Sequence, residues 1–125
     1  EVTKYLNAAD FLLVHLKKNE LFKITIPVRV LAYLKTGKPI LMGLEGDAKD
    51  ILVNAQAGYT FEPDNSEDLE QQIKKMMLLS NEEIEKMGQQ GKAYYINNLS
   101  MESSVDKLER NLKNIINKWN IPQLL

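Results

Sequence analysis

The side chains of this 125-residue chain that could do chemistry gather between His15 and Asp47. Pro27 is followed by Val28, Arg29 and Val30, then by Leu31 and Leu34 at helical spacing. Proline suits a helix's first turn, because its φ is preset and its missing N–H has no intrahelical partner to lose. The N–H groups of Val28, Arg29 and Val30 would then project unpaired from the positive end of the helix dipole, an arrangement suited to holding an anion. Arg29 lies within that turn and Lys23 just upstream, and either can add a charge-assisted contact to a phosphate. His15 ends an apolar run, Glu20 is the acid of the lysine-rich segment LKKNELFKITI, and Gly46 and Asp47 open a later helix. Each also has a plainer reading. His15 suits a rim, Glu20 a partner for Lys17 or Lys18, Asp47 a helix cap, and Lys23 and Arg29 a solvated surface.

The elements that must position these residues follow from periodicity. Val2 to Ala9 reads as a short helix capped by Thr3. FLLVHL, after Asp10, reads as a strand of a parallel sheet covered on both faces, and the polar segment after it as an irregular loop. The Pro27 helix ends at Gly37, and Ile40 to Leu44 forms a buried strand. Asp47 caps a helix with Ile51, Leu52 and Ala55 on its apolar stripe, ending at Gly58; Tyr59 to Phe61 forms a third strand, closed by the turn Glu62 to Ser66. Strands alternating with helices imply an α/β fold with parallel strands, a partial Rossmann-like sheet of about three strands with flanking helices. Ligands of such sheets sit beyond the carboxyl ends of the strands, where the Pro27 helix begins.

From Ser66 the chain reads as helical. Leu69, Ile73, Met76 and Met77 line a first helix. Ser80 and Glu83 form a capping box for a second, which carries Ile84, Met87, Ala93, Tyr94 and Ile96 and is weakened by Gly88 and Gly91. Ser100 caps a third, whose Val105, Leu108, Leu112, Ile115, Ile116 and Trp119 recur at three- and four-residue spacing until Pro122. Met76, Met77, Tyr94, Tyr95 and Trp119 are expected to fill core contacts. One domain is expected over 1–125, alternating helix and strand over 1–65 and helical over 66–125.

Composition narrows the function classes. Hydrophobic residues make up 44 % and charged residues 26 %, ordinary globular values, and 16 basic residues against 17 acidic leave no global field to hold nucleic acid. Without cysteine there is no disulfide and no thiolate zinc site. No metal and no cofactor is expected. No apolar run approaches the roughly 20 residues of a membrane helix, so a soluble domain is expected. The opening EVTKYLN lacks an initiator methionine and a signal-peptide pattern, and reads as part of a longer parent.

NAADFLLVHL, KITIPVRVLAYLKTGKPIL, EGDAKDILVNAQAGYTFEPDNSEDL and NEEIEKMGQQGKAYYINNLSMESSVDKL, taken in order, resemble the carboxyl-terminal domain of group 1, or family 4, retaining glycosyltransferases of the GT-B fold. The likeness extends to bacterial sugar transferases of surface polysaccharide synthesis, including fucosaminyl-transferase-like enzymes. It spans nearly the whole chain. In that family the helix start usually reads Pro-Ser-Lys, followed by Glu-Tyr-Leu and Gly-Lys-Pro; here the corresponding residues are Pro27-Val28-Arg29, Ala32-Tyr33-Leu34 and Gly37-Lys38-Pro39.

The resemblance implies that this part of a transferase binds a nucleotide-sugar donor, a UDP- or GDP-sugar, as substrate. The diphosphate would rest on Val28, Arg29 and Val30 with Lys23 nearby, and His15, Glu20, Gly46 and Asp47 would be contacts for donor sugar or ribose. It implies a cytoplasmic parent, at most peripherally attached to the membrane, that passes the sugar to a glycan or lipid-linked acceptor held by a second, N-terminal domain. Two departures stand out. Many members carry two glutamates eight positions apart, the second holding the ribose, where this chain has Ile24 and Ala32, so ribose must be held by backbone or by Glu20 or Asp47. The opening strands of a full donor domain are also missing, which leaves a sheet edge open to pairing with a second copy and the isolated chain without expected activity. The alternative reading is a catalytically inactive α/β interaction module.

Overall fold

A computed structural model describes residues 1–119. The element order is α1 (Val2–Ala8), β1 (Leu12–His15), α2 (Glu20–Lys23), α3 (Val28–Thr36), β2 (Ile40–Gly43), α4 (Asp47–Ala55), β3 (Gly58–Thr60), α5 (Ser66–Met77), α6 (Asn81–Tyr94), a π turn (Tyr95–Leu99) and α7 (Met101–Trp119). The three strands form one parallel sheet in the order β1-β2-β3. A sheet that grows in one direction through crossovers of one hand places consecutive crossover helices on one face. Accordingly α3 and α4 share a core with Val14, Ile40 and Met42, built from Val30, Leu34, Ala48, Ile51, Leu52 and Ala55. On the opposite face α5 brings Met76 to Leu41 and Phe61. Full burial of each Val, Leu, Ile, Met or Phe side chain contributes roughly 1.5–3 kcal/mol, so the first cluster, which holds more of them, dominates the stability of the sheet.

Several sequence expectations need correction. β1 is covered on one face only: its burial alternates and Leu13 is 49 % exposed. Leu13 lies in register with the buried Leu41, but α5 packs chiefly over β2 and β3 and leaves Leu13 outside the cluster that Met76 makes with Leu41 and Phe61. The segment after β1 is not wholly irregular, since the Asn19 side chain accepts from the Leu21 N–H at 2.9 Å and starts the short helix α2. Thr3 does not cap α1; Glu1 holds that position without a side-chain bond. Pro27 is the cap residue of α3, one step outside the helix, with ψ at 135°. Gly37 closes α3 in the left-handed conformation, as expected.

The helical part also departs in detail. Met76 is buried but Met77 is 72 % exposed. The capping box at α6 is present in both directions, with Ser80 N–H donating to Glu83 at 2.7 Å and Glu83 N–H to Ser80 at 3.2 Å. Gly88 and Gly91 do more than lower helix propensity. A Cβ on Gly88 would run into the Gly37 carbonyl, and one on Gly91 would stand 2.8 Å from the Ala57 Cβ. Both glycines therefore let α6 sit directly on the end of α3 and the start of β3. The helix then widens by one residue, Ser100 N–H donating to the Tyr95 carbonyl at 2.8 Å, five residues back. That turn carries Tyr94, Tyr95 and Leu99 against the main core and leaves Ile96 exposed. α7 follows with its apolar stripe exposed except for the half-buried Ile116, Trp119 included among the exposed, against the core role expected for it. Pro122 lies outside the described residues.

Candidate functional site at the carboxyl edge of the sheet

The carboxyl ends of the three strands deliver His15, Gly43 and Thr60 to one edge, and each is followed by a loop bearing charge. Gly43 stands between His15 and Phe61 on the α5 face. A Cβ there would meet the Phe61 ring and lie 2.8 Å from His15 Cδ2, so its absence lets the two rings approach to 5.6 Å between centroids. His15 Nε2 accepts from the Asp64 N–H at 3.3 Å and lies 3.7 Å from the Asp64 carboxylate. The Asp64 carboxylate also accepts from the Lys18 N–H at 2.8 Å, while Lys18 Nζ reaches Glu62 at 3.4 Å. His15 thus ties the β3–α5 loop to the β1–α2 loop. Asp64 itself takes a positive φ of 61°, which aspartate tolerates in turns.

A second group forms around Lys23. Its Nζ lies 2.8 Å from Glu20 and 3.9 Å from Glu45. The hydrogen bond and charge of Glu20, helped by the charge of Glu45, raise the Lys23 pKa and keep the ammonium protonated. Gly46 lies against the Lys23 carbonyl, where a Cβ would overlap it, and takes a φ of 74°. Only glycine meets both demands without strain. Gly46 is also the cap residue of α4, so Asp47 is not the cap expected of it; it is the first helical residue, with a carboxylate favourably placed in the dipole.

The start of α3 stands apart from both groups. Val30 N–H donates to the Pro27 carbonyl at 2.9 Å, which corrects the expectation that it is open to a ligand; its side chain is fully buried. Val28 and Arg29 retain N–H groups without acceptors among the described residues, Val28 is 80 % exposed, and Arg29 forms no ion pair among those residues. Around Val28, Leu21, Ile24 and Ile26 are also exposed. Two of the four expected anion contacts are therefore open, Lys23 is already matched by carboxylates, and Val30 is spent.

Glu45, Glu62, Asp64 and Asp68 were not among the expected site residues, although Glu45, Glu62 and Asp64 follow closely on strand ends, the signal that could have found them; Asp68 lies in the first turn of α5. A hollow of about 210 Å³ beyond β2 and β3 is lined by Glu45, Lys49, Thr60, Glu62 and Asp68, among others. Asp68 accepts from Gln72 at 3.0 Å and from the Glu62 N–H at 2.7 Å, and these bonds lower its pKa. The hollow is acidic and suits hydroxyl groups or a cation's hydration shell better than phosphate. A larger hollow, about 650 Å³, runs along the open side of β3 between Gln56, Gln72, Lys86 and Gln90. It presents an unpaired strand edge with few charges and lies away from the strand ends, so the carboxyl edge is the better candidate site. Among the described residues no group of acids and histidine is arranged to hold a metal ion, and no helix is long and apolar enough to cross a membrane. Comparison with protein-family models, curated proteins and solved structures finds no match for this chain.

Proposed function

We propose that this chain is the nucleotide-sugar-binding portion of a retaining glycosyltransferase of the GT-B kind. The observation that carries the reading is the unpaired turn at Val28 and Arg29, which follows β1 at the carboxyl edge of a parallel sheet; the ends of β2 and β3 at that edge line a hollow rich in hydrogen-bond acceptors. The diphosphate of a UDP- or GDP-sugar rests on the Val28 and Arg29 N–H groups, and the Arg29 guanidinium supplies the charge. Ribose or sugar hydroxyls donate to Glu45, a carboxylate left 31 % exposed beside Gly46. Glu20 holds Lys23 in place.

In such a transfer the bond from the anomeric carbon to the diphosphate breaks, the acceptor hydroxyl oxygen bonds to that carbon on the same face, and the hydroxyl proton passes to the departing diphosphate. This chain's part is to stabilise the charge that grows on the leaving diphosphate, through Arg29 and the α3 dipole. The acceptor, a glycan or a lipid-linked sugar, belongs to a second domain of the parent. The donor's chemistry puts that parent in the cytoplasm or at the cytoplasmic face of the membrane, in polysaccharide synthesis.

Titration with UDP, GDP and their sugars, followed by amide NMR, tests the reading. Val28 and Arg29 shift, the Glu45 side chain reports the sugar, and Arg29→Ala weakens binding about tenfold, the order expected for one charge-assisted contact. Unmoved amides at Val28 and Arg29 under millimolar nucleotide refute it. One observation favours an interaction module instead: Leu21, Ile24, Ile26 and Val28 are all exposed around the same helix start, and apolar surface of that kind suits a protein partner. Capture of a partner that Ile24→Asp abolishes, together with no nucleotide effect, would decide for that reading.

A further inference from the structure

We propose that α7 pairs antiparallel with α7 of a second copy of this chain, independently of any nucleotide site. Met101, Val105, Leu108, Leu112, Ile115 and Trp119 are all between 43 % and 78 % exposed, and they follow one another at intervals of four, three, four, three and four. That alternation is the a/d repeat of a coiled-coil seam, with the half-buried Ile116 on its flank. Nothing in the body covers it: α7 is fastened at its start, by the Ser103 hydroxyl donating to the Asn97 carbonyl at 2.8 Å and Lys107 donating to the Asn98 carbonyl at 3.0 Å.

The same repeat selects the partner. Turned about its midpoint at Arg110, the seam is complementary to itself: Met101 faces Trp119, Val105 faces Ile115 and Leu108 faces Leu112. A two-fold pair needs this property, the same patch serving on both copies. Charge selects the direction. The first half of α7 carries Glu102, Asp106, Lys107 and Glu109, and the second Arg110, Lys113 and Lys118, so an antiparallel pair sets an acidic half on a basic half and a parallel pair sets like on like. The one like-charge approach in this register, Glu109 against its own copy, is offset by Lys113, whose Nζ lies 2.7 Å from the Glu109 carboxylate. A 19-residue helix is roughly 28 Å long at 1.5 Å per residue. The paired seams bury on the order of 1,000 Å², the low end for a specific interface.

Sedimentation of the chain from low-micromolar to millimolar concentration is expected to show its mass rising from one copy to two, and Leu108→Lys with Leu112→Lys to hold it at one. Both leucines are exposed, so the double variant keeps the thermal unfolding of the sheet core. Because the chain has no cysteine, mixing V105C and I115C chains under mild oxidant reads the direction, and 105-to-115 disulfides are expected to outnumber 105-to-105 disulfides. A one-copy mass throughout, a dimer untouched by the double lysine variant, as pairing through the sheet edge would give, or preferential 105-to-105 linkage would each overturn the proposal. So would a blue shift of Trp119 emission on anionic phospholipid vesicles from a chain that never self-associates.

Discussion

α6 and α7 are two helices of one chain with opposite fates. α7 has the cleaner apolar stripe and buries no residue; α6 has a broken pattern with two glycines, and those glycines are its buried residues. The contrast separates two things that a hydrophobic pattern is often taken to report together. An apolar stripe sets which face a helix would prefer to bury. Close approach is decided by small residues meeting backbone, as Gly88 meets Gly37. α6 is held by shape and a capped first turn, α7 by a few polar ties at its start.

The comparison can be broken most sharply at Gly88. Replacing it by alanine should gain helix propensity, yet the new Cβ meets the Gly37 carbonyl, a backbone atom that cannot swing aside; a net loss of about 2–3 kcal/mol is expected, measured by chemical denaturation. Leu34→Ala, beneath α6 in the main core, should cost at least as much, about 3 kcal/mol, through the cavity it leaves. Ser80→Ala removes one direction of the capping box and should cost about 1 kcal/mol. Leu108→Ala on α7 should change global stability by less than about 0.5 kcal/mol, since the side chain is already in water. A loss comparable to that of Leu34→Ala would mean that α7 packs on the body after all.

The smallest effect concerns pH, and it sharpens the same contrast. Hydrogen bonds from the Ser80 N–H and hydroxyl hold the Glu83 carboxyl below the usual carboxylate range, and Lys113 does the same for Glu109. In both cases the unfolded chain takes up its proton first as pH falls. The stabilisation is therefore complete above the ordinary carboxylate range and lost as pH drops through the depressed value. Glu83 serves a helix that belongs to the cooperative core, so Glu83→Gln should flatten the acid limb of global stability. Glu109 lies at the middle of a helix whose apolar stripe is largely exposed, so Glu109→Gln should alter only amide exchange within α7.

The three strands and their order of helices were readable in the chain, because segments of strand length set off by Pro27 and Gly37 leave little choice of period; the close of α4 was misplaced, since Gln56 takes the left-handed position and Gly58 opens β3 against the Ile40 carbonyl. The capping box at Ser80 and the left-handed close at Gly37 were equally plain, both being local bonds between near neighbours. The candidate site was legible only in part. Its location at the strand ends followed from topology, but the pairing of Lys23 with Glu20 and Glu45, and of His15 with Asp64, joins residues up to 49 positions apart and has no local signature. Asp47 looked like a cap by type, and Gly46 took the position because contact with the Lys23 carbonyl leaves no room for a Cβ.

What the sequence determined by itself was the period of most segments, the capping box at Ser80, the left-handed close at Gly37 and the amphipathic seam of α7, all of which depend on interactions within about four residues. Only the tertiary structure decided which apolar faces find a partner. Leu41 and Leu13 belong to the same pattern and the same register, but α5 reaches one and not the other; Gly88 looked like a weakness and is a contact. Burial is a property of what lies opposite a residue, and the chain states that only when folded.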